Sequence, residues 1–152
     1  MQAANGNVEH PMKGHPPWRG AGEQLATELA AEREGRLSRR LLGAFFVAAG
    51  INHFVNPRFY EPIVPPSLAD EKQLVVQVSG VAELAGGLAV LVPSLRRPAG
   101  VYLIALLAAI FPANLYMALE PERFERFPRW ALYARLPLQP LMMFWAWRAT
   151  RR

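Results

Sequence analysis

Residues 73–92 read QLVVQVSGVAELAGGLAVLV, a run in which Glu83 is the one ionisable side chain. The run is 20 residues long, and at about 1.5 Å of rise per residue a helix of that length covers roughly the 30 Å hydrocarbon core of a bilayer. A carboxylate at that depth costs about 2.5–3.5 kcal/mol on insertion scales, so it must face water or polar partners inside a helical assembly. The stretch predicts a membrane-spanning helix with Glu83 turned inward.

Working outward, three further apolar segments flank it. Residues 41–55 (LLGAFFVAAGINHFV) extend to a first span over 38–55 if Arg39 and Arg40 reach back to the interface. After the basic connection Pro93–Pro98, residues 99–119 form an uncharged third span. Its Pro112 removes the donor for the Ala108 carbonyl and predicts a kink. Residues 130–148 form a fourth span containing Arg135, Gln139 and two prolines, with Trp130, Tyr133, Trp145 and Trp147 as interfacial anchors near its ends. The fold class this predicts is all-α: an integral membrane four-helix bundle over 41–149. The segment 56–72 mixes four prolines with Phe59, Tyr60, Ile63, Val64 and Leu68. That mixture suits a piece packed over the mouth of the bundle rather than a free linker.

Ahead of the spans, residues 1–22 are rich in Gly, Pro and Asn without apolar periodicity and read as a disordered tail. The tail lacks the apolar core of a signal peptide, and its His10 and His15 have no third ligand, so no metal site is assigned. Residues 23–40 read as a short amphipathic lead-in helix on the cytoplasmic surface, with Leu25, Leu29 and Leu37 on a narrow stripe and Glu32 four residues from Arg36. The formal charge is +5. Because the arginines flank apolar segments, they are better read as orienting charges than as a nucleic-acid interface. With both termini in the cytoplasm, Arg33, Arg36, Arg39, Arg40, Arg96, Arg97, Arg148, Arg151 and Arg152 lie inside. Arg58, Lys72, Arg123, Arg126 and Arg129 lie outside, nine against five. The chain has no cysteine, which excludes thiol–disulfide catalysis, thiolate zinc sites and iron–sulfur clusters held by this chain.

Inside the spans the polar residues are few, and alternating helix directions let them converge in the outer half of one bundle. Asn52, His53, Glu83, Asn114, Arg135 and Gln139 are the candidate pocket residues. The expected partner of Glu83 is Arg135, since bidentate pairing would offset the burial of both. Asn114 and Gln139 are expected to take the remaining hydrogen-bond positions. Such a set reads either as a network fixing helix register or as the lining of a cavity for a headgroup, quinone or proton, with His53 able to titrate near neutral pH. No residue is assigned a catalytic role: no nucleophile, metal set or nucleotide loop is visible.

The runs G-I-N-H-F at 50–54, N-P-R-F-Y at 56–60, I-V-P-P at 63–66, S-G-V-A-E-L-A-G-G-L at 79–88, F-P-A-N at 111–114 and R-L-P-L-Q at 135–139, with the Pro93 to Ala99 turn, resemble the DoxX-like membrane proteins over about residues 37–149. The resemblance implies a four-helix inner-membrane protein of bacteria, in the wider group that includes the small subunit of thiosulfate:quinone oxidoreductase. The family's recurrent polar residues fall on the same six positions. It implies a non-catalytic membrane subunit or anchor of a redox-associated complex, with an oxidoreductase partner and a quinone or lipid pocket. The small residues Gly43, Gly50, Gly80, Gly86 and Gly87 suit packing within one bundle or between two, as in a homo-oligomer. The alternative from the residues is a small dimeric proton-coupled transporter centred on Glu83.

Overall fold

The structure, a computed structural model, describes residues 17–151, and within them every regular element is helical. Four long helices are α1 (Pro17–Val55), α3 (Lys72–Leu91), α4 (Arg96–Leu119) and α5 (Arg129–Thr150), with a single-turn helix α2 (Pro57–Tyr60) after α1. Short 3-10 turns at Glu61–Ile63, Pro66–Glu71, Pro93–Leu95 and Pro121–Phe124 make the connections. Each of the four carries proline at its start, where a fixed φ suits a helical turn and the missing N–H is no loss.

Two boundaries differ from the sequence reading. The tail expected over 1–22 lies outside the described residues as far as residue 16, but residues 17–22 are helical and open α1, with Pro17 as its first residue. The lead-in helix and the first apolar segment are one element by hydrogen bonding, because the Ala-, Leu-, Glu- and Arg-rich residues between them contain nothing that breaks a helix. The chain divides into two compact units, residues 1–34 and residues 35–152. In the first, the described side chains are almost all exposed, Leu25 and Leu29 among them.

From Gly35 onward the four long helices pack as antiparallel neighbours. α1 meets α3 along a seam of glycines, Gly43 against Gly87 and Gly50 against Gly80. A Cβ on Gly50 would lie 2.7 Å from the Gly80 carbonyl oxygen, and one on Gly87 would lie 2.9 Å from that of Gly43. Only the absence of side chains lets the two backbones come this close. α4 packs along α3, with the Tyr102 hydroxyl donating to the Ala82 carbonyl at 3.1 Å, and along α5. α5 returns to α1 where Trp145 Nε1 donates to Ser38 Oγ at 2.9 Å. The order around the group is therefore α1, α3, α4, α5, which sets α3 and α5 on a diagonal.

The core is split. One cluster joins Leu42 and Phe46 of α1, Val90 of α3, Ala99 and Leu103 of α4, and Ala146 and Ala149 of α5. The other joins Met117, Phe124 and Leu132, with Ile63 and Phe127 against it. Outward-facing positions are as apolar as the interior: Phe45, Phe54, Leu74, Val78, Val81, Leu88, Val101, Leu115, Leu138, Leu141 and Phe144 are all exposed. The stretches Pro66–Leu91 and Pro93–Leu119 are long and apolar enough to cross a membrane.

Candidate functional site

Between the two core clusters lies a cavity of about 560 Å³. Leu107 and Met142 line it beside the first cluster, and Ile63 lines it beside the second. Tyr60, Ile63, Val64, Pro65, Ser67 and Leu68 also contribute to its wall, so the proline-rich segment 56–72 does pack over the helices. Four of the six residues read from the sequence line the cavity: His53, Glu83, Asn114 and Arg135. Asn52 and Gln139 stand behind them.

His53 and Glu83 are the buried titratable side chains of the site, 7% and 8% exposed. They sit at matching places, each three residues beyond a seam glycine, His53 after Gly50 and Glu83 after Gly80. Side chains on a helix lean toward its N-terminus. In antiparallel neighbours the two therefore lean back toward the Gly50–Gly80 crossing from opposite sides, and they meet with His53 Nε2 3.6 Å from Glu83 Oε2. Gly80 also makes room for the imidazole, since a Cβ there would stand 2.7 Å from His53 Cβ.

The hydrogen bonding orients the imidazole of this pair. His53 Nδ1 lies 3.0 Å from the Val76 carbonyl oxygen, which can only accept, so Nδ1 carries the hydrogen. A neutral ring then presents Nε2 as a bare acceptor to Glu83. An ionised carboxylate is an acceptor too, so two lone pairs face each other unless a proton lies between them. Glu83 Oε2 is buried and, among the described residues, has no hydrogen-bond partner; His53 Nε2, at 3.6 Å, is in ion-pair range but just beyond hydrogen-bond distance. A proton on either atom would turn the facing lone pairs into a donor and an acceptor.

Tyr60 completes this wall. Its ring stacks on His53 with centroids 3.7 Å apart and planes at 18°. Asn52 Nδ2 donates to the Tyr60 hydroxyl at 2.8 Å, and Asn56 Nδ2 donates to Asn52 Oδ1 at 3.2 Å. Asn52 thus holds the tyrosine rather than touching the cavity. From Tyr60 a row of rings continues through Phe59 to Phe127, over which the Arg135 guanidinium lies at 5.7 Å. The sequence reading placed Tyr60 in the interfacial segment but not in the site. Its place seven residues after His53, just past the Asn56-Pro57 helix stop, was the available signal.

The expected Glu83–Arg135 ion pair is not formed. α3 and α5 are diagonal, whereas α1 is the direct neighbour of α3, so His53 takes the place assigned to arginine. Among the described residues no carboxylate lies within ion-pair distance of Arg135, whose guanidinium instead lies over the Phe127 ring. Asn114 and Gln139 also leave their expected roles. Asn114 Nδ2 donates to Gln139 Oε1 at 2.6 Å, and Gln139 Nε2 donates to the Leu107 carbonyl. That carbonyl adjoins the turn where Pro112 removes the donor for Ala108, so a side-chain donor is supplied one residue from the predicted gap, within a helix that continues across the proline. Among the described residues no group of three His, Asp or Glu side chains converges as a metal site. His10 and His15 lie outside the described residues.

Residues 42–150 match the family model described as "Domain of unknown function (DUF8561)". The chain belongs to this family. No curated protein and no solved structure matches it. The DUF8561 segment contains all six polar residues together with Tyr60, the glycine seam and both core clusters.

Proposed function

We propose that this chain is an integral membrane protein whose four long helices all span the bilayer, and that its cavity is a pocket for a small amphipathic ligand. The observation that carries the ligand reading is the buried His53–Glu83 pair facing a cavity whose remaining wall is mainly apolar, the usual composition of a small-molecule site. Support for four spans comes from the large apolar side chains exposed on every long helix, an exterior that suits lipid better than water. The arginine distribution supports both termini in the cytoplasm, and the DoxX-like resemblance supports a bacterial inner membrane.

On that resemblance, the role is a non-catalytic membrane subunit or anchor of a redox-associated complex, with a quinone or lipid in the pocket. Part of the lining suits a quinone, Arg135 apart. The Tyr60 ring and the His53–Glu83 proton would hold its polar ring, and Phe46, Leu107 and Met142 its tail. Such a group would supply electron-accepting chemistry, while the protein's own contribution is to orient it, exclude water and keep one proton beside Glu83. Tagged purification from native membranes in mild detergent, with mass spectrometry and an absorbance scan for quinone, tests the assignment. A stoichiometric oxidoreductase partner is the expected result. A homo-oligomer with neither partner nor quinone would overturn the subunit reading and favour the proton-coupled transporter. One observation favours that second reading: Glu83 lines the cavity beside His53 and makes no ion pair with Arg135.

A further inference from the structure

The charges around the cavity do not balance in a ligand-free, protonated site. The polar groups facing it are His53 from α1, Tyr60 from α2, Ser67 from the Pro66–Glu71 turn, Ser79 and Glu83 from α3, Asn114 from α4 and Arg135 from α5. Tyr60, Ser67, Ser79 and Asn114 are uncharged. Glu61 and Lys72 lie outside the lining and are 4.0 Å from each other. With one proton held between them, His53 and Glu83 sum to zero, and the cavity carries the single positive charge of Arg135. With no proton they sum to minus one and balance Arg135 across the cavity without touching it. A half-buried guanidinium with no carboxylate among the described residues in ion-pair range, in an apolar surround, calls for an anion. The opposite end of the same cavity is formed by Phe45, Phe46, Leu107 and Met142, which offer an apolar tail a place.

We propose that the cavity binds a monoanionic amphiphile, its acidic head on Arg135 and its tail against Phe45, Phe46, Leu107 and Met142, together with one proton taken up by the His53–Glu83 pair. This rests on the reading of the cavity as a ligand pocket and narrows it, since a neutral ligand leaves Arg135 unmet. Linkage makes the coupling reciprocal: the proton raises affinity for the anion, and the anion raises affinity for the proton.

The test is isothermal titration calorimetry of the full chain in phosphatidylcholine nanodiscs, with decanoate as probe, decanol as neutral counterpart and empty discs as blank. Decanoate should bind roughly tenfold more tightly than decanol. R135Q should remove that preference without weakening decanol, and R135K should retain it. Titrations in two buffers of different ionisation enthalpy should report uptake of about one proton per decanoate. E83Q should still bind decanoate but take up none. Equal affinity for the two probes, or a preference untouched by R135Q, would overturn the anion assignment and leave the pocket standing. No saturable binding of either probe above the blank would overturn the pocket itself. Replacing part of the lipid with phosphatidylglycerol separates the natural sources. Loss of the decanoate signal would assign the site to an anionic lipid headgroup, and retention to a free acid; both keep the monoanion.

Discussion

What one nitrogen of a buried histidine does dictates what the other can do. Here the Val76 carbonyl claims Nδ1–H, which leaves Nε2 to Glu83 and makes the two residues a unit. His53→Ala should therefore strand Glu83 in an apolar wall and lower stability by roughly 3 kcal/mol. His53→Ala combined with Glu83→Gln should recover about 1–2 kcal/mol of that loss. Thermal melts in detergent check this, and a double variant less stable than His53→Ala alone would contradict the pairing. All six polar residues were legible in the sequence because polar groups are rare in apolar runs and each stands out. Which of them touch was not. Glu83 and Arg135 are opposite charges at similar depth, but charge and depth do not say which helices are neighbours, and the diagonal placement of α3 and α5 decides against them.

At the level of elements, the α1–α3 seam is the most exacting contact. Gly50→Ala or Gly87→Ala would drive a methyl group into the facing backbone and should cost about 1–3 kcal/mol. Gly22→Ala, with nothing within 4 Å of a new Cβ, should instead gain up to about 1 kcal/mol of helix stability. Chemical denaturation of the three variants in one detergent compares them, and equal effects would remove the seam's special status. The long helices were legible from their apolar length. Their ends were not: no break separates residues 23–40 from the segment after them, and a run of Ala, Leu, Glu and Arg is as helical as the apolar run it joins. The covering turns were hidden as well, because prolines that mark a loop in sequence also start 3-10 turns.

For the whole molecule, the alternation of directions is the property to test. The chain has no cysteine, so single substitutions report without background. In intact cells, Asp70→Cys and Arg126→Cys should react with a membrane-impermeant maleimide, while Ser94→Cys should react only after lysis. Labelling of Ser94→Cys in intact cells would reverse the proposed orientation. The all-helical class was legible because the apolar stretches are too long for strands. The cavity was not, because it arises where two separate core clusters fail to meet, and nothing local in the sequence marks a gap.

The placement of His53 and Glu83 after the seam glycines has a consequence for spelling. The site is written as two tetrapeptides, G-I-N-H at 50–53 and G-V-A-E at 80–83, of which the first and last letters carry the information. The glycine sets how near the two helices come, and the three-residue step sets the direction in which the polar group points. Deleting one residue inside either word turns the group about 100° around its axis and slides it about 1.5 Å, enough to part the pair. A chain that keeps Gly-x-x-His and Gly-x-x-Glu on adjacent antiparallel helices should rebuild this proton site whatever surrounds it. A chain with a bulky residue in place of either glycine should lose it even with the histidine and glutamate intact.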